Sequence, residues 1–312
     1  MSRSLIIDCD PGVDDAVALF LALGAPELDV LAVTTVAGNV GLDLTIRNAR
    51  LVLERAGRGD VPVYPGCDRP LVRAPVEAGE FHGASGLGDW RVTEPERPPA
   101  PGHAVQTIVD LVMARPEGSV DLAILGPMTN VALAMRLEPR LSTRLGRIAV
   151  MGGARSAGGN ITASAEYNIF ADPHAAAVVL GSGAEVIVFG LDVTHAVLAT
   201  PERIERIRAI PGAAARATAD LLDFSARIER AAVGRAGAPM HDPCPIAWLI
   251  RPDLFQLRPA RIAVETASPL TLGATAVEFR LGQGEARATR WAVAADARGV
   301  FDLLAASLER LP

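Results

Sequence analysis

Short apolar runs of strand length alternate with helix-period segments along most of this chain, and that alternation constrains its fold most. Residues 28–36 are nearly continuously apolar, as expected for a strand buried on both faces of a parallel sheet. Residues 42–55 then carry a helical period, and the pairing recurs with strands at 61–64, 120–125, 148–151 and 185–189 and helices at 104–114, 128–137 and 173–180. Residues 201–235 read as mostly helical with a break at Pro211-Gly212, and a short helix reaches about Ile250. The last part reads as strands, with Gly282-Gln-Gly284 as a hairpin turn and 301–311 as a closing helix. Residues 65–102 form a long irregular Pro- and Gly-rich segment, of the kind that is usually functional or mobile. The predicted fold is α/β, an open mainly parallel sheet flanked by helices. It is Rossmann-like, with its site at the carboxyl ends of the strands. With no internal repeat or linker, residues 1–312 read as a single domain.

Those carboxyl ends are where the acidic and amide residues collect. Leu5 to Ile7 is β-prone, Pro11-Gly12 forces a turn, and residues 16–23 read as a buried helix. Asp8, Asp10, Asp14 and Asp15 crowd that corner. Like charges this close repel, and burial raises the cost of ionising them. One Asp fits the N-cap of a helix; four call for a hard cation, for which carboxylate oxygens suit Ca²⁺ or Mg²⁺. Asn39 follows the second strand, Asn160, Glu166 and Asn168 follow the one ending at Met151, and Asp192 and His195 the next. His241-Asp242 comes after the long helical stretch. Several distant segments are expected to converge on one pocket.

Composition narrows the partners. The chain has 312 residues, half of them hydrophobic, a net charge of −6 and no basic run, which argues against nucleic acid or an anionic membrane as partner. Cys9, Cys67 and Cys244 are odd in number and free of any CxxC pattern, so they read as reduced thiols. Met1-Ser-Arg-Ser leads straight into the first strand, and no apolar run is long enough to span a bilayer. The expectation is a soluble, cytoplasmic protein.

Asp8-Cys-Asp-Pro-Gly-Val-Asp-Asp-Ala16 resembles the N-terminal signature of the inosine-uridine preferring nucleoside hydrolases. The resemblance continues through Thr34-Thr-Val-Ala-Gly-Asn39, Asn48-Ala49, His82-Gly-Ala-Ser-Gly-Leu87 and Gly126-Pro-Met-Thr-Asn130. It extends to Met151-Gly-Gly153, Ala165-Glu-Tyr-Asn168, Gly190-Leu-Asp-Val-Thr-His195 and His241-Asp242, in the family's order. It implies Ca²⁺-dependent hydrolysis of the N-glycosidic bond of ribonucleosides, in nucleoside catabolism or salvage, by a homodimer or homotetramer. By the same resemblance Asp10, Asp15 and Asp242 are metal ligands, with the backbone carbonyl of Leu125 as a further one. Asp10 is also the base that activates water, and Asp14, Asn39, Asn160, Glu166 and Asn168 bind the sugar beside an apolar wall at Met151. Thr129 and Asn130 read as helix-capping residues.

Of the five histidines, His241 is best placed to protonate the departing base. His82 is expected to touch the base when its loop closes, His195 to support the site, and His103 and His174 to be ordinary helix-start or surface residues. In the family the helix before His-Asp supplies base contacts, often through aromatic hydroxyls; here it has Phe224 and no Tyr, and Arg227 and Glu229 are open to base contact but read better as a solvated face. Purine, pyrimidine and broad specificity stay open. Two other classes fit parts of the pattern: a Ca²⁺-dependent nucleoside or ribose binder without turnover, and a Mg²⁺-dependent phosphohydrolase. The latter lacks a phosphate-binding Lys among these motifs.

Overall fold

The structure, a computed structural model, describes residues 2–281 and 289–312. The turn expected at Gly282-Gln-Gly284 lies outside them.

Six parallel strands set the frame: β1 (Arg3–Cys9), β2 (Leu28–Thr35), β3 (Val63–Pro65), β4 (Val120–Ile124), β5 (Ile148–Met151) and β6 (Val186–Phe189). They lie in the order β3-β2-β1-β4-β5-β6. Arg290–Ala295 then adds parallel to β6, and Phe255–Pro259 closes that edge antiparallel. Side chains alternate between two cores. Leu5, Ile7, Ala123, Ala149, Ile187 and Phe189 enter one face, while Ile6, Leu122, Ile124, Ile148, Val150 and Val188 enter the other. Burial on both faces explains why these strands read as unbroken apolar runs.

The strand order reverses between β1 and β4, and in doubly wound sheets such a switch point opens a crevice beyond the carboxyl ends. Asp10 follows β1 and Leu125 follows β4, so the crevice lies between them. The helix leaving β1, Val13–Gly24, is buried along its length except at Asp14. Its apolar circumference packs against the helices Ala213–Val233, Pro243–Ile250 and Ala297–Leu308, which fixes the height of the acidic corner in the molecule. The closing helix starts at Ala297, upstream of the expected Phe301, because the Asp296 carboxylate caps it by accepting from Gly299 N at 3.0 Å. Among the described residues no helix is long and apolar enough to cross a membrane.

Candidate active site

The four N-terminal aspartates divide into distinct environments. Asp8 is fully buried; its Oδ1 accepts from Thr34 Oγ1 at 2.6 Å and from Asn130 Nδ2 at 2.8 Å. Burial outweighs those bonds and pushes its pKa up to about 7. Asn130 also donates to Thr35 O and accepts from Cys67 N, and Thr129 Oγ1 donates to Asp172, so neither caps a helix as expected. Asn130 ties the ends of β1 and β2 together, and Thr129 holds the aspartate that caps the helix Pro173–Leu180. Asp15 does cap: it accepts from Gly12 N at 2.9 Å, Asp10 N at 3.2 Å and Asn39 Nδ2 at 3.1 Å, at the positive end of its helix.

Asp8 Oδ2 is buried without a partner, and Asp10 shares that condition. One oxygen accepts from Asn39 N at 2.7 Å, while the other, Oδ1, is buried with no partner. A buried carboxylate oxygen without a donor is costly. Burial first, and then the neighbouring Asp15, drive its pKa well above the usual carboxylate range. Backbone encloses it closely: a Cβ built on Gly38 or on Gly126 would run into the Asp10 carboxylate. Gly126→Ala is therefore expected to displace Asp10 and lower ribose release by about 100-fold or more, as misplacement of a reacting group does. Unfolding in urea, with its midpoint little changed, separates this from a loss of fold; unchanged activity would contradict the assignment.

Asp242 arrives from the far end of the chain. Oxygens of Asp14, Asp15 and Asp242 lie within 4.8 Å of one another. Asp242 is 3% exposed, and burial, then Asp14, Asp15 and Asp10, raise its pKa well above the ordinary value. Burial raises Asp14 as well, and Asp15 is pushed up to about 6, by burial and then by Asp14. Three carboxylates this close, all raised first by burial, with Asp10 and its unpartnered oxygen adjoining them, are what an all-oxygen cation site looks like before its charge is supplied. The donor set fits a hard divalent ion. Leu125 lines a cavity together with Asp14 and Asp242, and its carbonyl accepts from Asn168 Nδ2 at 2.6 Å.

The remaining residues expected at the site line one cavity of about 300 Å³: Asp14, Asn39, His82, Met151, Asn160, Glu166, Asn168 and His241 all face it. Several also hold loops in place. Glu166 caps the short helix Tyr167–Ala171 and accepts from Gly153 N at 2.9 Å, and Asn160 Oδ1 accepts from Tyr167 N at 2.9 Å. The Asn168 amide also reaches the Met151 sulfur at 3.3 Å. His82 Nδ1 accepts from Val13 N at 3.1 Å and lies 4.0 Å from Asp14. An Nδ1 used as acceptor carries no proton, so that contact is no ion pair. Burial holds the ring near pKa 4. His82 thus seats its loop on the first helix.

His241 Nδ1 shares a 2.9 Å hydrogen bond with the Thr194 hydroxyl, and its ring lies 5.7 Å from that of His195. Burial, with His195 and Arg235 nearby, lowers its pKa to about 3. It is a neutral imidazole, and when Thr194 donates, Nε2 carries the proton. Sequence reasoning did not single out Thr194, Tyr167, Ser225 or Arg235, of which the last three line the cavity. It also placed Glu229 on a solvated face with Arg227. Only Arg227 is there, paired with Asp89; Glu229 turns inward to Arg235. His103 caps a helix by accepting from Val105 N, as a helix-start residue would.

Residues 5–302 match the family model described as inosine-uridine preferring nucleoside hydrolase. The chain is 40% identical over 317 residues to the inosine-uridine preferring nucleoside hydrolase of Crithidia fasciculata, covering 100% of this chain and 99% of that one. It is 44% identical over 309 residues to a pyrimidine-specific ribonucleoside hydrolase of a Shewanella species, covering 99% and 96%. Among solved structures, a plant nucleoside hydrolase superposes with a TM-score of 0.92 at 32% identity, covering 99% of each chain. A purine-preferring ribonucleoside hydrolase from Gardnerella vaginalis does so with a TM-score of 0.92 at 31% identity, covering 98% of each.

Proposed function

Since the chain belongs to the inosine-uridine preferring nucleoside hydrolase family and hydrolyses the N-glycosidic bond of ribonucleosides, we propose how its residues divide that work. Asp10, Asp15, Asp242 and the Leu125 carbonyl would hold Ca²⁺, which when bound would supply the positive charge that keeps these carboxylates ionised and would polarise the water and the ribose diol. The buried carboxylate group of Asp14, Asp15 and Asp242, with the unpartnered Asp10 Oδ1 adjoining it, carries this reading. Asp10 takes a proton from the attacking water as its oxygen bonds to C1′. Asp14, Asn39, Asn160, Glu166 and Asn168 grip the sugar hydroxyls, which favours the oxocarbenium-like transition state. The C1′–N bond breaks with its electron pair on the base. His241, held neutral by burial, takes up a proton from solvent as negative charge builds on the base, delivers it from Nε2 as imidazolium and returns to neutral imidazole, with Thr194 fixing the ring through Nδ1.

The same reading takes residues 1–312 as one domain that works as a homodimer or homotetramer in the cytoplasm, where its three free cysteines stay reduced. The role of His241 has its own test. His241→Ala is expected to slow ribose release from natural nucleosides by about 10²–10⁴-fold, the usual share of a general acid. An activated nitrophenyl riboside, which needs no proton to leave, should lose far less. Equal losses on both substrates would remove His241 from that role.

A further inference from the structure

One wall of the cavity is a single face of the helix Ala213–Val233: Ser225, Ile228 and Glu229 line it at helical spacing, with the exposed Val233 at its rim. Arg235 joins them just past the left-handed Gly234 that ends the helix. Its guanidinium meets Glu229 Oε2 at 2.9 Å, and the two side chains are only 27% and 16% exposed. It is the one Arg or Lys among the described residues that line the cavity. It lines the same cavity as His195 and His241, the residue assigned to the departing base.

We propose that Arg235, positioned by Glu229, is the determinant that selects nucleosides by the exocyclic group of the base, favouring oxo over amino bases. A guanidinium has only donors. With Glu229 occupying one edge, the remaining N–H groups meet a ring carbonyl as acceptor. An amino group at the same position presents a second donor, and both are left unpaired in a half-buried pocket. The charge works in the same direction. As the C1′–N bond breaks, the electron pair left on an oxo base spreads onto the carbonyl oxygen, where the guanidinium pairs with it. The proton that neutralises the base then comes from His241. In this chain an ion pair takes the place of the aromatic hydroxyl that the helix lacks.

This inference rests on the nucleoside hydrolase reading, and its test has a readout that needs no turnover. Formycin B (oxo) and formycin A (amino) carry a carbon–carbon glycosidic bond that is not hydrolysed. Titration calorimetry on the Ca²⁺-loaded full chain is expected to give formycin B about tenfold or greater advantage, the worth of one well-placed hydrogen bond against an unpaired donor. Glu229→Gln/Arg235→Met, which removes the pair without stranding a charge, should bring the ratio to near one while leaving formycin A binding within about threefold. Arg235→Lys should restore part of the ratio. Glu229→Gln alone should lower the ratio through weaker formycin B binding, an effect Glu229→Asp largely rescues. A ratio near one in the wild type, or one that survives in the double variant, overturns the inference. Wild type that binds both compounds yet frees no ribose from uridine or inosine refutes the hydrolase reading instead, and the formycin ratio still decides the role of Arg235.

Discussion

Asp10→Asn should lower kcat/KM for ribose release by at least about 10³-fold while leaving the metal-free protein as stable as the wild type or more so. The loss combines a general base, typically about 10²–10⁴-fold, with a charge taken from the cation site. The stability follows from the crowding of Asp10 by Asp14, Asp15 and Asp242, which makes its ionised form unfavourable in the fold. An amide of the same shape keeps the acceptor for Asn39 N, 2.7 Å away, and removes the repulsion. A reporter of free ribose and thermal unfolding in EDTA measure the two effects. Retention of a tenth of the activity, or a clear fall in Tm in EDTA, would contradict the assignment. A structural aspartate behaves oppositely, since removing it costs stability first.

The second large effect is that of the metal on stability, and its sign depends on pH. Asp15, pushed up to about 6, and Asp10 and Asp242, both raised well above the usual carboxylate range by burial, bind protons more tightly folded than unfolded. Stability therefore falls as pH rises wherever the folded state holds the extra protons. Metal-free protein should lose Tm from about pH 4 to pH 7 and beyond, where Asp8, raised to about 7, adds to the loss. A cation removes that penalty by holding the carboxylates ionised, so binding releases protons and strengthens with pH. At 100 times Kd, the gain is about 2.7 kcal/mol, or about 4 °C for a chain of this size. Scanning calorimetry should show this Ca²⁺-induced rise growing from pH 5 to pH 8. A rise that is constant or larger at pH 5 would mean that these carboxylates are not the ligands.

Much of the frame was legible because strands buried on both faces declare themselves as apolar runs, and β5 and the helix Leu42–Arg55 fall at the residues expected. The acidic corner was legible as electrostatics, since no helix start requires four carboxylates. Asp242 was found through the resemblance: no periodicity links it to Asp10, which only the packing of Pro243–Ile250 against Val13–Gly24 brings near. Glu229 and Arg235 were missed for a related reason. A helix with charges on more than one side does not say which side faces a cavity until its neighbours are in place. Gly38 and Gly126 could be read as motif residues, but their contact with Asp10 belongs to the fold.

Restoration of activity by metal tests the whole account most directly. Ribose release from a panel of ribonucleosides would be followed on wild-type protein stripped with EDTA and then titrated with Ca²⁺. The expected result is loss of nearly all turnover on stripping and recovery that saturates at one Ca²⁺ per chain, with Asp242→Ala unable to recover. Ribose release that persists after stripping, or a repleted wild type that frees no ribose, would contradict it.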